Sequence, residues 1–584
     1  MENLKQDRVP RSHHKHGAGE IAQADGRTLN SRRVGALPIL DRVLRRLRIG
    51  EALRNRLPPE DRRWRVSNTA ALLLLAKNLL VSREPLYGVG EWAARHEPSW
   101  LGLSENQLAT LNDDRVGRAL DRLFDADVPS LVLDIAAHAV REFDVDLAEL
   151  HNDSTTVTFH GDYDSATQER TLRGQFRAAI TWGHNKDHRP DLKQLLYILT
   201  ITDDGGVPVH YRAANGNVTD DRTHCATWDL LCQIAGRRDF LYVADCKLVT
   251  VENMNDIATN DGRFVSVLPR TRKEDAAFRE RLLQGKVYWQ PLWDKCDDYG
   301  ELLDRYTVPE GPVVLPEGYR LWWFHSTHKA ELDLAARSSR LQRAEQKLRQ
   351  LQTKLRSPRA RRRDRAQIED TVQKILDYYD CAAFLKFQIS ERQHETYRQR
   401  RRGRPGKNTE YVRKVTSRLD LDYALDAESI TRERQADGIF PLVTNDAQLS
   451  ALMVLQAYKG QPHIEKRFAQ LKTDFAVAPV FLKDVGRIEA LLGVYFLVLL
   501  TESLLERELR QAMDRQGISS LPLYPEGRPC RRPTARRLID VFEPIQRHTL
   551  EEPGGQTTTR ITVLSPLQRK LLRLLGIPAT AYEG

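Results

Sequence analysis

The chain predicts an α/β fold in which a mixed core is interrupted by a large insertion and flanked by helical segments, and three patterns in its 584 residues point there. Residues 35–145 carry apolar positions at helical intervals. From 146 to 270 apolar and polar residues alternate over short runs, as in half-buried strands. Between 271 and 436 β-suggestive and heptad-like segments follow one another; helical periodicity then returns over 437–510 as the second part of the core, ahead of an extension at 511–584.

Residues 1–34 lack an apolar run and are expected to form a disordered lead with no targeting segment. Leu37 to Leu57 then alternates apolar residues with an Arg-rich face, Asn68 to Leu80 (NTAALLLLAKNLL) reads as a capped apolar helix, and Asn112 to Asp114 caps another ending near Phe124. His151 to His160 (HNDSTTVTFH) is rich in β-formers. Leu192 to Thr202 and Val207 to Arg212 form a hairpin through Asp203, Asp204, Gly205 and Gly206. A helix from roughly Asp221 to Ala235 leads into the apolar run FLYVAD ending at Asp245, and Phe264 to Leu268 gives a further strand. The order so far is three strands, a helix and a strand, with one further strand after it. The longest apolar run, Ala490 to Leu500, has eleven residues, too few to cross a bilayer, and reads as a buried core helix.

Within the insertion, Tyr319 to His325 (YRLWWFH) is the clearest strand. Leu341, Leu348 and Leu355 recur every seven residues with Ala344 and Leu351 between them, the pattern breaks across SPRARRRDR, and Ile368, Val372, Ile375 and Tyr379 resume it. This predicts a helical hairpin with a coiled-coil seam. From Arg337 to Arg365 there are twelve Arg or Lys and two acids, with Arg361, Arg362 and Arg363 near the tip. A second run, Arg398 to Lys407 (RQRRRGRPGK), has six bases and no acid, and its RGRP core, which includes Arg402 and Arg404, resembles a minor-groove hook. Solvated surface is the usual fate of such runs; beside a nucleic-acid site they would instead grip phosphates without reading bases. After Leu500 a helical continuation, a Pro-rich linker around Leu521 to Pro533, a strand in RITVLS and a helix in PLQRKLLRLLGI close the chain.

The candidate chemistry lies in three carboxylates. Asp153 stands near the start of one strand and Asp245 at the end of another, where open α/β sheets gather their ligands. Tyr458, Gln461, Glu465 and Lys472 fall at offsets of 3, 4 and 7, which on one continuous α-helix gives them a common face. Two Asp on neighbouring strands and one Glu on a packed helix would converge into an acidic pocket able to hold two Mg²⁺.

The run YKGQPHIEKRFAQLK resembles the Y-(2)-R-(3)-E-(6)-K signature of DDE-type bacterial insertion-sequence transposases of the family-four superfamily, with Gln461 where the family has Arg. The strings LNDDRVGRALDRLFD, GHNKDHRPDLKQ and ANGNVTDDRTH extend the resemblance from about Gly35 to Leu500. It implies an RNase H-like catalytic domain whose DDE triad maps onto Asp153, Asp245 and Glu465, binding two Mg²⁺ for which Mn²⁺ can substitute. It further implies that Tyr458, Gln461 and Lys472 hold backbone phosphate, with Lys459, Lys466 or Arg467 supplying the charge that Gln461 lacks. Element ends and target DNA would be the partners, a homodimer the synaptic form, and an insertion Trp (Trp289, Trp293, Trp322 or Trp323) the residue that stacks on a flipped base. The 35–145 domain, with Arg45, Arg46, Arg48, Arg54 and Arg56, would suit DNA ends. An RNase H-like nuclease or resolvase and a non-catalytic DNA-binding derivative are the other classes this pattern admits.

Charge is consistent with an anionic partner: 90 Lys and Arg against 80 Asp and Glu give +10. Six cysteines show neither CxxC pairing nor zinc spacing, so a cytosolic chain with reduced thiols is expected; the resemblance implies a bacterial, nucleoid-associated location with no membrane partner.

Overall fold

The computed structural model describes residues 21–22, 28–60, 64–163, 166–168, 170–172, 174–297, 300–357, 364–474, 482, 484–553 and 555–582. The chain forms two units, one from residues 1–266 and 456–584 and the other from 267–455. It is a mixed α/β protein with several sheets.

After a two-residue strand, Ile21–Ala22, that pairs with it, the first unit continues with β1 (Thr28–Arg33). Helices α1 (Leu37–Arg46), α2 (Ile49–Arg56), α3 (Asn68–Val81), α4 (Asp113–Asp125) and α5 (Val128–Glu142) follow. Their starts are written in the sequence: the Ser67 hydroxyl accepts from the Ala70 amide at 3.0 Å, and Asn112 accepts from Arg115 at 2.9 Å. The central elements come next: β2 (Glu149–Phe159), β3 (Lys193–Thr202), β4 (Pro208–Asn215), α6 (His224–Ala235), β5 (Leu241–Ala244), α7 (Val251–Thr259) and β6 (Arg263–Val267). β2 pairs antiparallel with β3, and β3 antiparallel with β4. On its other edge β2 takes β5 in parallel, and β5 takes β6 in parallel. The spatial order is β4-β3-β2-β5-β6. All ten residues of β3 are buried, which explains the near-continuous apolar run KQLLYILTIT.

In the second unit β7 (Trp289–Cys296), β8 (Leu302–Pro309) and β9 (Arg320–Ser326) form an antiparallel sheet, completed after an excursion by β12 below. The expected helical hairpin is present as α8 (Thr327–Arg356) and α9 (Arg365–Tyr378). Its seam buries Leu341, Ala344, Leu348, Leu351 and Leu355 against Ile368, Val372 and Leu376. The tip with Arg361, Arg362 and Arg363 lies outside the described residues. Unforeseen from sequence, β10 (Leu385–Gln399) and β11 (Tyr411–Leu425) form a two-stranded ribbon with fifteen paired positions, and the RGRP run is its turn. β12 (Ile439–Thr444) then returns to pair with β9.

The chain continues with α10 (Ala451–Tyr458), α11 (Pro462–Ala469), α12 (Val485–Arg515), α13 (Ala535–Phe542), β13 (Gln546–Glu551), β14 (Thr557–Ile561) and α14 (Pro566–Leu574). α12 has the length and composition of a membrane span, yet 94% of its most apolar window is buried inside the fold, as a core helix requires. Two expectations need correction. Thr28–Arg33, read as part of a disordered lead, pairs as β1 with β13 from Arg33↔Gln546 to Thr28↔Glu551. The carboxy-terminal extension accordingly contributes two strands besides its helices, and β14 takes in only Arg560 and Ile561 of RITVLS. A ladder between segments some 500 residues apart leaves no local periodicity in either.

Candidate active site

The register of β2 and β5 brings the two aspartates together. His151 pairs with Val243 and Asn152 with Ala244 in parallel, so the next positions, Asp153 and Asp245, are neighbours across the ladder. In-register residues of adjacent parallel strands point to one face about 4.8 Å apart. Asp245 leaves the carboxyl end of β5 and caps the turn after it, its Oδ1 accepting from the Lys247 amide at 3.0 Å. Burial, with the Asp245 and Asp220 charges adding to it, pushes the Asp153 carboxyl up to about 6 against the pull of Lys186. Asp245 is also raised, again mainly by burial.

A third aspartate, Asp220, belongs to this cluster and was missed from sequence. The Ser154 hydroxyl donates to Asp220 Oδ1 at 2.6 Å. Lys186 Nζ lies 3.0 Å from Asp220 and 3.5 Å from Asp153, and donates to the Ser154 carbonyl at 2.7 Å. One ammonium thus neutralises several desolvated carboxylates. Buried His224 faces the same point: its Nε2 is 4.0 Å from Asp245 Oδ1 and has no hydrogen-bond partner, while burial lowers the ring to about 4 and keeps it neutral. Asp153 and Asp245 with their raised proton affinity, Asp220 beside them and an orphaned neutral imidazole form a donor set that a divalent cation would satisfy. Asp220 lies within the ANGNVTDDRTH string, but nothing local distinguishes it from Asp221.

The Tyr458–Lys472 stretch departs from the expected single helix. α10 ends at Tyr458, a turn spans Lys459 to Gln461, and α11 begins at Pro462. Pro462 has no N–H for the Tyr458 carbonyl, which instead accepts from Gln461 at 3.1 Å, and His463 bonds back to Gly460 at 2.9 Å. These i→i+3 turns break the 3.6-residue phase, so the four residues do not share one continuous helical face. Gly460 is required there, because a Cβ would sit 2.6 Å from Cε1 of the buried His151 ring. The turn seats Tyr458 beside the aspartates. Its phenol is pushed up to about 12, first by burial, then by Asp245, Cys246, Glu465 and Asp153. Glu465 is thereby within electrostatic reach of that phenol, exposed on the first turn of α11.

Gln461 Oε1 is buried without a hydrogen-bond partner. Lys472 lies in a π-helical turn, Gln470–Asp474, and pairs with Asp187 at 2.6 and 2.8 Å. Asp187 neighbours Lys186, so a single loop touches both the aspartate cluster and Lys472. Asn185 stiffens that loop by accepting from the Asp187 amide at 2.8 Å and the Arg189 amide at 3.1 Å. Arg467 cannot supply the charge that Gln461 lacks. It is 2% exposed and donates to the Gly205 and Gly206 carbonyls and to Gln470. Lys466 is half-exposed, 3.9 Å from Glu506. Among the insertion tryptophans, Trp322 and Trp323 are buried, with Trp323 stacked on Phe278 at 3.9 Å, while Trp289 and Trp293 are partly exposed. Arg402 and Arg404 are exposed in the β10–β11 turn.

A separate group is Glu149 and His151 of β2 with Asp203 from the turn after β3, whose ligand atoms lie within 4.8 Å of one another and could hold a metal ion. His151 Nε2 is 2.9 Å from Glu149 Oε1, and His463 Nδ1 is 3.9 Å from Asp203. The alternation Glu149, His151, Asp153 along a strand was the available signal for it.

A family model described as "Domain of unknown function (DUF4277)" matches residues 29–137, which take in β1 and α1 to α4 and most of α5. No curated protein is similar to the chain at a significant level. Among solved structures, the chain has 10% identity and a TM-score of 0.24 to one titled "Cryo-EM structure of piggyBac transposase synaptic complex with hairpin DNA (SNHP)", over 48% of this chain and 62% of that one. The chain thus spans less than two thirds of that neighbour.

Proposed function

We propose that this chain is a DNA transposase with an RNase H-like core, cutting duplex DNA at the ends of a mobile element and joining the freed 3′-hydroxyl to target DNA. The observation that carries the reading is Asp153 beside Asp245 on adjacent parallel strands of a sheet ordered β4-β3-β2-β5-β6. Three antiparallel strands followed by two parallel ones, in the order 3-2-1-4-5, support the reading of an RNase H-like core. Glu465 would complete the triad from a helix that follows the insertion in sequence.

Asp153, Asp245 and Glu465 would hold two Mg²⁺, or Mn²⁺ in their place, and the ions would supply activation of the attacking oxygen and stabilisation of the leaving oxygen. Lys186 neutralises the aspartates in the free protein and is the group that must yield when a cation enters. His224 stays neutral and fixes the rim of the pocket beside Asp245. Tyr458 keeps its proton at neutral pH and can donate to a backbone phosphate. Gln461 offers a hydrogen bond there without charge, and Lys472 can exchange Asp187 for phosphate. Two copies would hold paired element ends, and the work would be done at the bacterial nucleoid.

Asp153→Ala, Asp245→Ala and Glu465→Ala should each abolish Mg²⁺-dependent cleavage of terminal-repeat DNA while leaving binding largely intact, since grip is spread over many cations. Substantial cleavage by any one removes that residue from the triad. Asp220 is a rival third carboxylate because it shares the Lys186 ammonium with Asp153. Loss of cleavage in Asp220→Asn with activity retained in Glu465→Gln would transfer the role.

A further inference from the structure

The β10–β11 ribbon has an organisation that its sequence alone does not display. Its base is packed: Leu385, Ile389 and Leu421 are buried in the core under the helical hairpin, and Arg356 pairs with Asp420 at 2.9 Å. Beyond that level the chain projects as two strands and a turn, with Tyr397, Tyr411, Val412 and Val415 exposed by 45–62%. The ten pairs beyond Ile389↔Leu421, from Ser390↔Asp420 to Gln399↔Tyr411, at about 3.4 Å each make an arm roughly 34 Å long. An unsupported two-stranded ribbon is marginal in water, so a partner that covers it would stabilise it.

The register sorts its charges. Arg392 faces Arg418, Thr396 faces Lys414 and Arg398 faces Val412, and these pairs share one face of the ladder. The opposite face carries Tyr397 across from Arg413 and Gln399 across from Tyr411, with Glu395 paired to Arg413. Over residues 392–418 there are ten Arg or Lys and two acids. Both acids are already engaged, Glu395 by Arg413 and Glu410 by Arg400. Arg401, Arg402, Arg404 and Lys407 at the turn have no acidic partner among the described residues.

We propose that this ribbon is a DNA arm: its basic face lies along the backbone phosphates, and its Arg402-Gly403-Arg404-Pro405 turn enters the minor groove of an A·T-rich duplex. The inference rests on the DNA reading above but not on the carboxylate chemistry. A narrow A·T minor groove concentrates negative potential that draws in arginines, and a proline at the point of entry can act as a wedge. The absence of a bulky side chain between Arg402 and Arg404 lets the turn fit a groove about 6 Å wide. Duplex RNA, whose minor groove is wide and shallow, should not be held this way.

The test uses the full chain, with equilibrium binding to duplexes of equal length that are A·T-rich, G·C-rich, or G·C-rich with inosine replacing guanosine. Inosine removes the minor-groove amino group and leaves the major-groove acceptors in place. The A·T and inosine duplexes should bind about tenfold or more tighter than the G·C duplex. Arg402→Gln with Arg404→Gln should erase that preference. Arg398→Gln with Lys414→Gln should instead weaken all duplexes alike and lower the salt slope by about 0.9 for each phosphate no longer neutralised. Preference and salt slope unchanged in both pairs of variants, or inosine behaving as guanosine, or equal affinity for duplex RNA, would overturn the arm. Melting curves matching the parent establish that these exposed substitutions leave the fold intact. Loss of A·T preference with Mg²⁺-dependent cleavage present, against intact preference with cleavage absent, tells failure of the arm from failure of the transposase reading.

Discussion

Gly460→Ala probes the contact that seats Tyr458 beside the aspartates and starts the helix that carries Glu465. The added Cβ would lie 2.6 Å from His151 Cε1 and 2.8 Å from Nε2, with the Ala457 carbonyl at 3.2 Å. Carbon contacts relax at about 3.5 Å or more, so the turn must move by about 1 Å. His151 cannot yield easily, being fully buried and tied to Glu149 at 2.9 Å. Overpacking of this kind costs about 1–3 kcal/mol, and a 1 Å misplacement of a catalytic group costs about 100-fold in rate. The assay is Mg²⁺-dependent cleavage of end DNA under single-turnover conditions, with thermal unfolding alongside. Cleavage should fall about 100-fold while end binding changes little. Adding His151→Ala opens the space and should recover much of the loss, a coupling that a double-mutant cycle reads directly. Wild-type cleavage in Gly460→Ala, or a double variant no better than the single, would refute the argument.

Other outcomes follow from the same cluster. Because Asp153 is raised from 3.8 to about 6, proton binding favours the folded chain, so its contribution is full below pH 3.8 and lost as pH rises through about 6. A cation competes for the same oxygens, so the rise in melting temperature on adding Mn²⁺ should be small near about pH 5 and large near about pH 7.5; an equal rise at both would count against it. Lys186→Ala removes the internal cation and should lower metal-free stability while enlarging the Mn²⁺-induced gain, and a smaller gain than the parent's would mean that Lys186 does not stand in for a metal. Arg467→Ala strands the Gly205 and Gly206 carbonyls and weakens the neutralisation of Glu506, which is 1% exposed, so chemical denaturation should show a loss of about 3–5 kcal/mol; a loss below about 1 kcal/mol would show that those bonds are replaced by water.

Much of the fold was legible because local rules apply to it. Asn112 caps the helix that it announces, the helix read from Asn68 is there with Ser67 as its cap, the Asp203–Gly206 turn joins β3 to β4, and the leucines of α8 recur because they pack against α9. What escaped was non-local or conformational. Pairing of Thr28–Arg33 with Gln546–Glu551 depends on partners that no window spans. The offsets from Tyr458 to Lys472 presumed an unbroken helix, although Gly460 and Pro462 within it were the breaker signals. Asp153 and Asp245 were readable from strand context, whereas Asp220 depends on Ser154 and Lys186, supplied by a strand and a loop far along the chain. The basic run around RGRP was visible as charge, but its placement on a ribbon turn required the fifteen-position register.

Anomalous diffraction from crystals grown with Mn²⁺ tests the central claim most directly, because two metal-capable groups draw residues from β2. The account requires Mn²⁺ between Asp153 and Asp245, with Glu465 completing the set and Lys186 displaced. Mn²⁺ at Glu149, His151 and Asp203 with the Asp153–Asp245 pair empty would contradict it.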